Sequence, residues 1–318
     1  MARRGQAARP SGRCLFSMKR LAGRLKVLAL LVSYAAAVPL VGCAGGPGTA
    51  PALPADALSV PVTGADGALR QIPARLCLPV GAGAGAARLV VVNHGSPGEG
   101  ALARARYSLL SCDHPVARHF LARGEAVLAP LRRGYGGDAG PWVEGFGPCG
   151  FPDYLRAARE TARDIRAAVA LARTLPGVSP EGVVLVGQSA GGWGMLALAA
   201  DPPPGVSAVI AVAPGRGGRQ NGRPDNNCRP DLLAEAAGRL AGEAGPGALP
   251  LLWLHTPNDS FFGPGLVAAM VAAHAGAGGR ATVVQLPAFG QDGHDMFYSR
   301  AGAPAWAPTI DGWIDGHP

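Results

Sequence analysis

The segment Gly182–Gly192, which reads GVVLVGQSAGG, places the tightest constraint on how this chain can fold. Four apolar residues typical of a buried strand lead into Gly-Gln-Ser-Ala-Gly, and a small-residue run that favours a helix follows. This order predicts a strand, a sharp turn and a helix, with Ser189 at the tip. The glycines two residues before and after Ser189 stand where a Cβ would collide with a neighbouring element. We predict that Ser189 is a nucleophile in a strained turn; the alternative is a plain Gly-rich turn.

Residues 1–42 have the pattern of a secretory signal. They contain eight basic residues and no acid, and an apolar stretch of about 15 residues, Val27–Val41, follows the charges. That stretch is short for a membrane span, which needs about 20 residues. The next residues, Leu-Val-Gly-Cys ending at Cys43, resemble a bacterial lipobox, so we predict cleavage before Cys43 and lipid attachment to it. The alternatives are an ordinary signal with a chance cysteine and, for the start of the chain, initiation at Met18.

The charge balance changes once this signal is removed. Eight of the 29 basic residues lie in 1–42, which leaves 21 basic and 21 acidic residues in the rest of the chain. A nearly neutral domain offers no basic patch for nucleic acid. Residues 43–57 are rich in Gly, Pro and Ala, as expected for a linker that holds a domain off a membrane. We therefore expect a protein anchored by lipid in the bacterial cell envelope, facing the periplasm or the exterior.

Four cysteines remain after the signal and Cys43 are set aside, and an even number suits an exported protein with disulfides. Three pairings are possible. Because Cys149 and Cys228 both lie in loops expected near the rim of the active site, we predict Cys149–Cys228 and Cys77–Cys112. The alternative is four free thiols. No Cys-x-x-Cys or His/Cys cluster indicates a metal, and nothing calls for a nucleotide or flavin, so we expect no cofactor.

Residues 58–318 predict one domain of alternating strands and helices, hence a mostly parallel, doubly wound α/β sheet. The predicted strands besides the one before Ser189 are Leu58–Val62, Leu69–Leu78, Arg88–Asn93, Glu125–Pro130, Val206–Val212, Leu249–His255 and Ala281–Leu286. The predicted helices are Asp113–Arg123 with Asp113 as N-cap, Phe151–Leu175, Asp231–Ala241 and Gly265–Ala275. The polar segment Gly215–Gly247 is predicted to be a small cap over the carboxyl ends of the strands, where ligands bind in such sheets.

A serine nucleophile needs a general base, and His294 is the best placed of the seven histidines. It follows the last predicted strand in a Gly-rich loop, from which an imidazole can reach back over the strand ends. The imidazole in turn needs a carboxylate to orient it. Asp259 directly follows a buried strand and gives the chain order Ser189, Asp259, His294, with Asp225 and Asp292 as rivals.

The negative charge that develops during acyl transfer needs two backbone N–H donors. We predict that Ala190, which follows the nucleophile, provides one. The loop after the Arg88–Asn93 strand provides the other, with Ser96 as the chosen donor and Gly95 as the alternate. We expect His94 in that loop to be structural.

These motifs together resemble the α/β-hydrolase superfamily, in particular its dienelactone hydrolase-like and prolyl-oligopeptidase-like groups. The resemblance covers about Ile72–Trp313, and the matching motifs are His94–Gly98, Arg132–Gly136, Gly187–Gly191, Asn258–Ser260 and Gly293–His294. It implies an α/β-hydrolase fold and hydrolysis of an ester or related acyl group through an acyl-enzyme.

Three residues are candidates for the substrate pocket: Arg133, Tyr135 and Phe261. The Arg-Gly-Tyr-Gly segment is equally consistent with a structural turn, and Phe261 with core packing. The leading functional hypothesis is an exported serine carboxylesterase that acts on a small ester. The alternatives are a serine peptidase acting on short peptides and a non-catalytic binding lipoprotein.

Overall fold

The computed structural model describes residues 57–81, 86–97, 100–137 and 141–318. Within these ranges eight strands form one sheet. The strands are β1 Ala57–Thr63, β2 Leu69–Cys77, β3 Leu89–Asn93, β4 Ala126–Pro130, β5 Val183–Gln188, β6 Val206–Val212, β7 Leu251–His255 and β8 Ala281–Gln285. Their order across the sheet is β1-β2-β4-β3-β5-β6-β7-β8. Strand β2 pairs antiparallel with β1 and β4, and all other pairs are parallel. The predicted mostly parallel α/β sheet is confirmed.

The central strands form because their sequences are continuously apolar. Every residue of β3, β4, β5 and β7 is buried, as expected for parallel strands covered by helices on both faces. The predicted strand boundaries agree with the structure to within two residues. Strand β8 is the exception in burial, since it lies at the edge of the sheet.

Helices cover both faces of the sheet. They are α1 Gly100–Ala105, α2 Pro115–Ala122, α3 Tyr154–Ala172, α4 Ala190–Ala200, α5 Pro230–Gly242, α6 Pro264–Gly276 and α7 Ala303–Asp315. Helices α3, α4, α5 and α6 bury their apolar residues in one core cluster, and α2 and α7 bury theirs in a second cluster. The sheet therefore has a core on each face, as a doubly wound fold requires.

The first predicted helix has a different N-cap from the one expected. Helix α2 is capped by His114, whose Nδ1 accepts a hydrogen bond from Val116 N at 3.2 Å, and not by Asp113. The reason is that Pro115 occupies the first helical position, so the cap must be the residue directly before it. Helices α1 and α7 were not predicted. In α7 the apolar residues Trp306, Ile310 and Ile314 recur every four residues and are fully buried.

The segment predicted to be a cap, Gly215–Gly247, has two parts with different positions in the structure. Its helical part, α5, packs against α3, α4 and α6 and flanks the sheet. Leu233, Ala237 and Leu240 of α5 are fully buried in the core, because the helix places them on one apolar face. Only the irregular part before α5 lies near the candidate site.

Two disulfides connect distant parts of the domain: Cys77–Cys112 joins the end of β2 to the loop before α2, and Cys149–Cys228 joins two loops. Both are the predicted pairings. The predicted signal, lipid-bearing Cys43 and linker to residue 56 lie outside the described residues. In the ranges the structure describes, no helix combines the length and apolarity needed to cross a bilayer.

We predict that the paired substitution Cys77→Ser and Cys112→Ser lowers the free energy of unfolding by about 2–4 kcal/mol, because the unfolded chain regains the freedom of a closed loop. The two cysteines are separated by 35 positions in sequence. Urea denaturation of the variant and the oxidised wild type measures the difference. An unchanged midpoint and slope would contradict a stabilising role for this disulfide.

Candidate active site

The turn between β5 and α4 holds Ser189 in a strained conformation, with φ 53° and ψ −115°. A Cβ on Gly187 would lie 2.5 Å from the carbonyl carbon of Gly191, and a Cβ on Gly191 would lie 2.6 Å from Asn93 O. Both positions therefore require glycine. The strain, of order 1–3 kcal/mol for such a residue, persists because the surrounding backbone fixes it. Ser189 N donates to Val212 O at 2.9 Å, which ties the turn to β6.

His294 and Asp259 form a buried hydrogen-bonded pair. The imidazole Nδ1 lies 3.1 Å from Asp259 Oδ1 and 3.0 Å from Oδ2. Because an ionised carboxylate can only accept, Nδ1 carries the proton and Nε2 is left as the basic nitrogen. Asp259 Oδ1 also accepts from the backbone N–H groups of Phe261 and Phe262, at 2.8 and 3.0 Å. These contacts fix both the carboxylate and the imidazole that it orients.

The rival carboxylates have other positions. Asp292 Oδ1 accepts from His294 N and Ser260 N, each at 3.0 Å, so it joins the loop of His294 to the loop of Asp259. Burial alone would raise the pKa of Asp292, but the hydrogen bonds from Ser260 and His294 outweigh it and lower the pKa. Asp225 lies beside Gly263. Neither residue takes the place of Asp259 on the imidazole.

Two further side chains hold His294. Gln188, which directly precedes Ser189, donates from Nε2 to His294 O at 3.1 Å. This hydrogen bond links the loop of His294 to the turn that holds Ser189. The Phe261 ring stacks on the imidazole with centroids 4.1 Å apart and an angle of 24° between the planes. Phe261 therefore lines the cavity beside His294, and its role toward a substrate stays a prediction. Gln188 was not singled out from the sequence, although its position beside Ser189 was a usable signal.

The loop after β3 lies in close contact with Ser189. A Cβ on Gly95 would lie 3.1 Å from Ser189 Cβ, so only glycine allows this approach. His94 fixes the path of the loop, because its Nδ1 donates to Gly95 O at 2.7 Å and its Nε2 accepts from Arg132 N at 3.3 Å. The second contact needs a neutral ring, because a protonated Nε2 cannot accept a hydrogen bond. Burial and the neighbouring Arg132 guanidinium accordingly lower the pKa of His94 to about 3.

The predicted pocket residue Tyr135 stands behind this loop and is fully buried. Its hydroxyl hydrogen-bonds Glu144 Oε1 and lies 3.0 Å from Ser96 Oγ. A phenol has one proton and the carboxylate can only accept, so the Ser96 hydroxyl is the donor in the second contact. The pocket prediction for Tyr135 is therefore wrong. Tyr135 instead contacts the Ser96 side chain from the protein interior.

The pocket prediction for Arg133 is also wrong, for a similar reason. Its guanidinium is 1% exposed and pairs with Asp164 Oδ1 at 2.6 Å and Glu160 Oε2 at 2.7 Å, both on α3. Burial raises the pKa of Asp164 to about 6, against the opposing effect of Arg133. Arg133 anchors its loop to α3.

A buried carboxylate that the sequence did not reveal, Glu144, connects the loops of the site. Arg132 donates to it through Nε at 2.6 Å and Nη2 at 3.2 Å, and Arg216 Nη2 lies 3.0 Å from Oε1. Thr161 Oγ1 donates to it at 2.8 Å. Burial opposes ionisation, but the two arginines hold the pKa of Glu144 well below its usual range. Arg132 also donates to His94 O at 2.8 Å, so the network reaches the loop beside Ser189.

Two cavities meet at Ser189, and Ser96, Pro97 and Phe261 line both. The first, which we call the histidine arm, has a volume of about 570 Å³. Its other lining residues are Gly95, Tyr107, Gln188, His294, Asp295, Tyr298 and Ser299. The second, which we call the arginine arm, has a volume of about 230 Å³. Its other lining residues are Gly100, Arg104, Trp142, Phe146, Ala190, Gly215, Arg216, Gly217, Gly218, Gln220 and Phe262.

The predicted N–H donors flank this junction. Ser96 lines both arms and Ala190 lines the arginine arm. A further cavity of about 520 Å³ shares Tyr107 and Tyr298 with the histidine arm but does not include Ser189. No group of three His, Cys, Asp or Glu side chains suited to a metal occurs in the described ranges.

Comparison with known proteins agrees with this architecture. A family model described as the alpha/beta hydrolase fold matches residues 88–238. Comparison with curated protein sequences gives no significant match. The chain has the α/β-hydrolase fold, as the sequence motifs implied, whereas the narrower likeness to dienelactone hydrolases and prolyl oligopeptidases stays a prediction.

Several solved structures are similar in fold. Dipeptidyl peptidase 4 from Porphyromonas gingivalis is 15% identical with a TM-score of 0.54, over 82% of this chain and 35% of that one. A protein from Klebsiella pneumoniae assigned as a dienelactone hydrolase is 15% identical with a TM-score of 0.53, over 82% and 98% of the two chains. Esterase Pf2001 from Pyrococcus furiosus is 14% identical with a TM-score of 0.51, over 82% and 90%. The chain thus spans about a third of the length of the peptidase.

We predict that His94 makes the protein less stable as the pH falls below about 6.5. Since the pKa of His94 is about 3 in the folded state and 6.5 is the ordinary value, only the unfolded chain binds this proton between those values. The contribution is a loss of about 1.4 kcal/mol per pH unit. Urea denaturation from pH 7.5 to pH 5 of wild type and His94→Gln measures it. We expect a shallower decline for the variant; equal slopes would contradict the neutral ring.

Proposed function

We propose that this protein is a serine hydrolase that cleaves small carboxylic esters through Ser189, His294 and Asp259. The observation that carries the proposal is the buried Asp259–His294 pair, with hydrogen-bond distances of 3.0 and 3.1 Å, beside the same cavity as a strained serine. A carboxylate and a correctly oriented imidazole are what a serine hydroxyl needs to become a nucleophile.

In the proposed reaction, Ser189 Oγ attacks the ester carbonyl carbon while its proton moves to His294 Nε2. Asp259 stabilises the imidazolium that results. The amides of Ala190 and Ser96 donate hydrogen bonds to the carbonyl oxygen as it becomes negative. His294 then returns the proton to the leaving alcohol, and an acyl-enzyme on Ser189 remains. Water then attacks the acyl carbonyl carbon while His294 takes its proton, and His294 returns this proton to Ser189 Oγ as the bond to the acyl group breaks and the acid leaves.

We further propose that the mature protein is exported and anchored by lipid on Cys43. The two disulfides favour an oxidising compartment, in agreement with the basic and apolar segments of residues 1–42.

We predict that a fluorophosphonate probe labels residues 58–318 of the wild type but not Ser189→Ala, and labels His294→Ala weakly. On p-nitrophenyl esters of increasing chain length, we expect kcat to fall by about 10³–10⁶-fold in either variant, because nucleophile and base act as one unit. Asp259→Asn should lose about 10⁴-fold, since the imidazole then takes the wrong tautomer.

Ser59→Ala is the matched control for the serine substitution, because Ser59 is an exposed residue of β1. Cleavage of a panel of peptide amides at rates similar to the esters would favour the peptidase alternative. Absence of labelling in the folded wild type would contradict the proposed catalytic role of Ser189 and favour a binding protein.

For the anchor, we predict that the full chain expressed in a bacterium incorporates radiolabelled palmitate and sediments with membranes. Cys43→Ser should abolish the label and prevent cleavage of the signal, since the lipidated cysteine defines the cleavage position. Retention of the label in Cys43→Ser would show that the lipid, if present, is attached elsewhere.

A further inference from the structure

The lining of the arginine arm is cationic. It contains two guanidinium groups, Arg104 and Arg216, and no Asp or Glu is among its lining residues in the described part of the chain. The same arm includes Ser189 and Ala190, so the cations stand beside the proposed reaction centre.

Arg216 is the buried one of these two arginines. Its side chain is 3% exposed, and Nη2 makes its contacts to Thr161 Oγ1 at 2.9 Å and Glu144 Oε1 at 3.0 Å. Glu144 is already bound in two places by Arg132. Two guanidiniums therefore share this carboxylate, and Arg133 beside them pairs with Glu160 and Asp164, so charge in the buried cluster is balanced. Among the described residues, however, the buried Nε of Arg216 has no hydrogen-bond partner, and an unpaired buried donor is unfavourable until an acceptor reaches it.

The backbone on both sides of Arg216 packs closely against the core of the protein. A Cβ on Gly215 would lie 2.5 Å from the Phe262 ring, and a Cβ on Gly217, which has a φ of +73°, would lie 2.6 Å from the Tyr154 hydroxyl. Glycines on both sides thus let the loop pass close to the core. The close packing of the glycines on either side of Arg216 consequently fixes the position of its backbone.

Arg104 approaches from the last turn of α1. Its Cζ lies 3.8 Å from the centroid of the Trp142 ring, a cation–π contact that holds the side chain in the arm. Within the described ranges Arg104 makes no ion pair with a carboxylate. Its charge is available to a ligand.

The chemistry of the proposed reaction determines which part of the substrate enters each arm. His294 must give its proton to the leaving oxygen, so the alcohol lies in the histidine arm. The acyl chain then extends past Ala190 into the arginine arm. A volume of about 230 Å³ corresponds to roughly eight water molecules at about 30 Å³ each, which is enough space for a short acyl group.

We infer that the arginine arm binds an acyl group that carries its own carboxylate, as in the monoester of a short dicarboxylic acid. This inference rests on the proposed function and specifies its substrate class. The carboxylate binds Arg104 and Arg216 in this arm, while the ester carbonyl lies at Ser189. An acidic amino acid esterified at its α-carboxyl offers the same chemistry, and the experiment distinguishes the two sources.

The test compares substrates that differ only in the distal group. The anionic set is the monomethyl esters of succinate, glutarate and adipate; the neutral set is methyl butanoate, pentanoate and hexanoate, in which a methyl group replaces the carboxylate. The α-methyl ester of N-acetylglutamate represents the amino-acid source. Acid release at pH 7.5 is followed by titration. For at least one chain length we expect kcat/KM to be about 10- to 100-fold higher for the anionic ester, the range for a charged hydrogen bond.

Arg104→Gln should remove most of this preference, because it lowers kcat/KM for the anionic ester far more than for the neutral one. Arg223→Gln is the matched control, because Arg223 is exposed in the segment before α5 and does not line the arm. Arg216→Gln tests the buried position, with thermal unfolding measured alongside to detect loss of fold.

As a readout independent of turnover, glutarate should raise the Tm of Ser189→Ala, but not that of Ser189→Ala with Arg104→Gln.

The outcomes separate this inference from the proposed function. Equal or faster hydrolysis of the neutral esters at every chain length, with no effect of glutarate on Tm, overturns the inference and leaves the hydrolase intact. A preference confined to the N-acetylglutamate ester retains the carboxylate-binding arm and assigns its ligand to acidic amino acids. Hydrolysis of no ester, together with absence of fluorophosphonate labelling, overturns the proposed function and this inference with it.

Discussion

The buried carboxylate of Glu144 holds together the loops that shape the candidate site. It accepts hydrogen bonds from Arg132 and Tyr135 in the loop after β4 and from Thr161 in α3, and it pairs with Arg216 in the loop after β6. Removing one member of such a cluster leaves an uncompensated charge in the protein interior, which is costlier than the loss of one contact. The loop beside Ser189 and Arg216 of the arginine arm therefore depend on the same group.

On the side of the site that holds His294 and Asp259, hydrogen bonds join neighbouring loops. Asp292 joins the loops of His294 and Asp259, and Gln188 joins the loop of His294 to the turn that carries Ser189. Ser189, His294 and Asp259 are thus connected through backbone atoms as well as through side chains. Such supporting contacts would hold the three side chains within the narrow limits that the proposed acyl transfer requires.

The fold and the three candidate catalytic residues were accessible from the sequence because their signals are local. Continuous apolar runs identify β3, β5 and β7, and the glycines around Ser189 identify the turn. The network of Glu144 and Arg216 was not accessible, since its members lie in irregular loops 72 positions apart and follow no period. Arg133 was misassigned for the same reason: the sequence does not tell whether a loop arginine faces a cavity or a neighbouring helix.

The Ser96 hydroxyl is engaged with Tyr135, so the proposed stabilisation of negative charge depends on main-chain amides. A main-chain amide cannot be deleted by substitution at its own position, except by proline. A genetic screen for inactive variants would therefore not reveal these donors through substitutions at Ser96 and Ala190. Inactivating alleles would instead accumulate at the residues that dictate the backbone path, such as Gly95, Gly191 and the partners of Glu144.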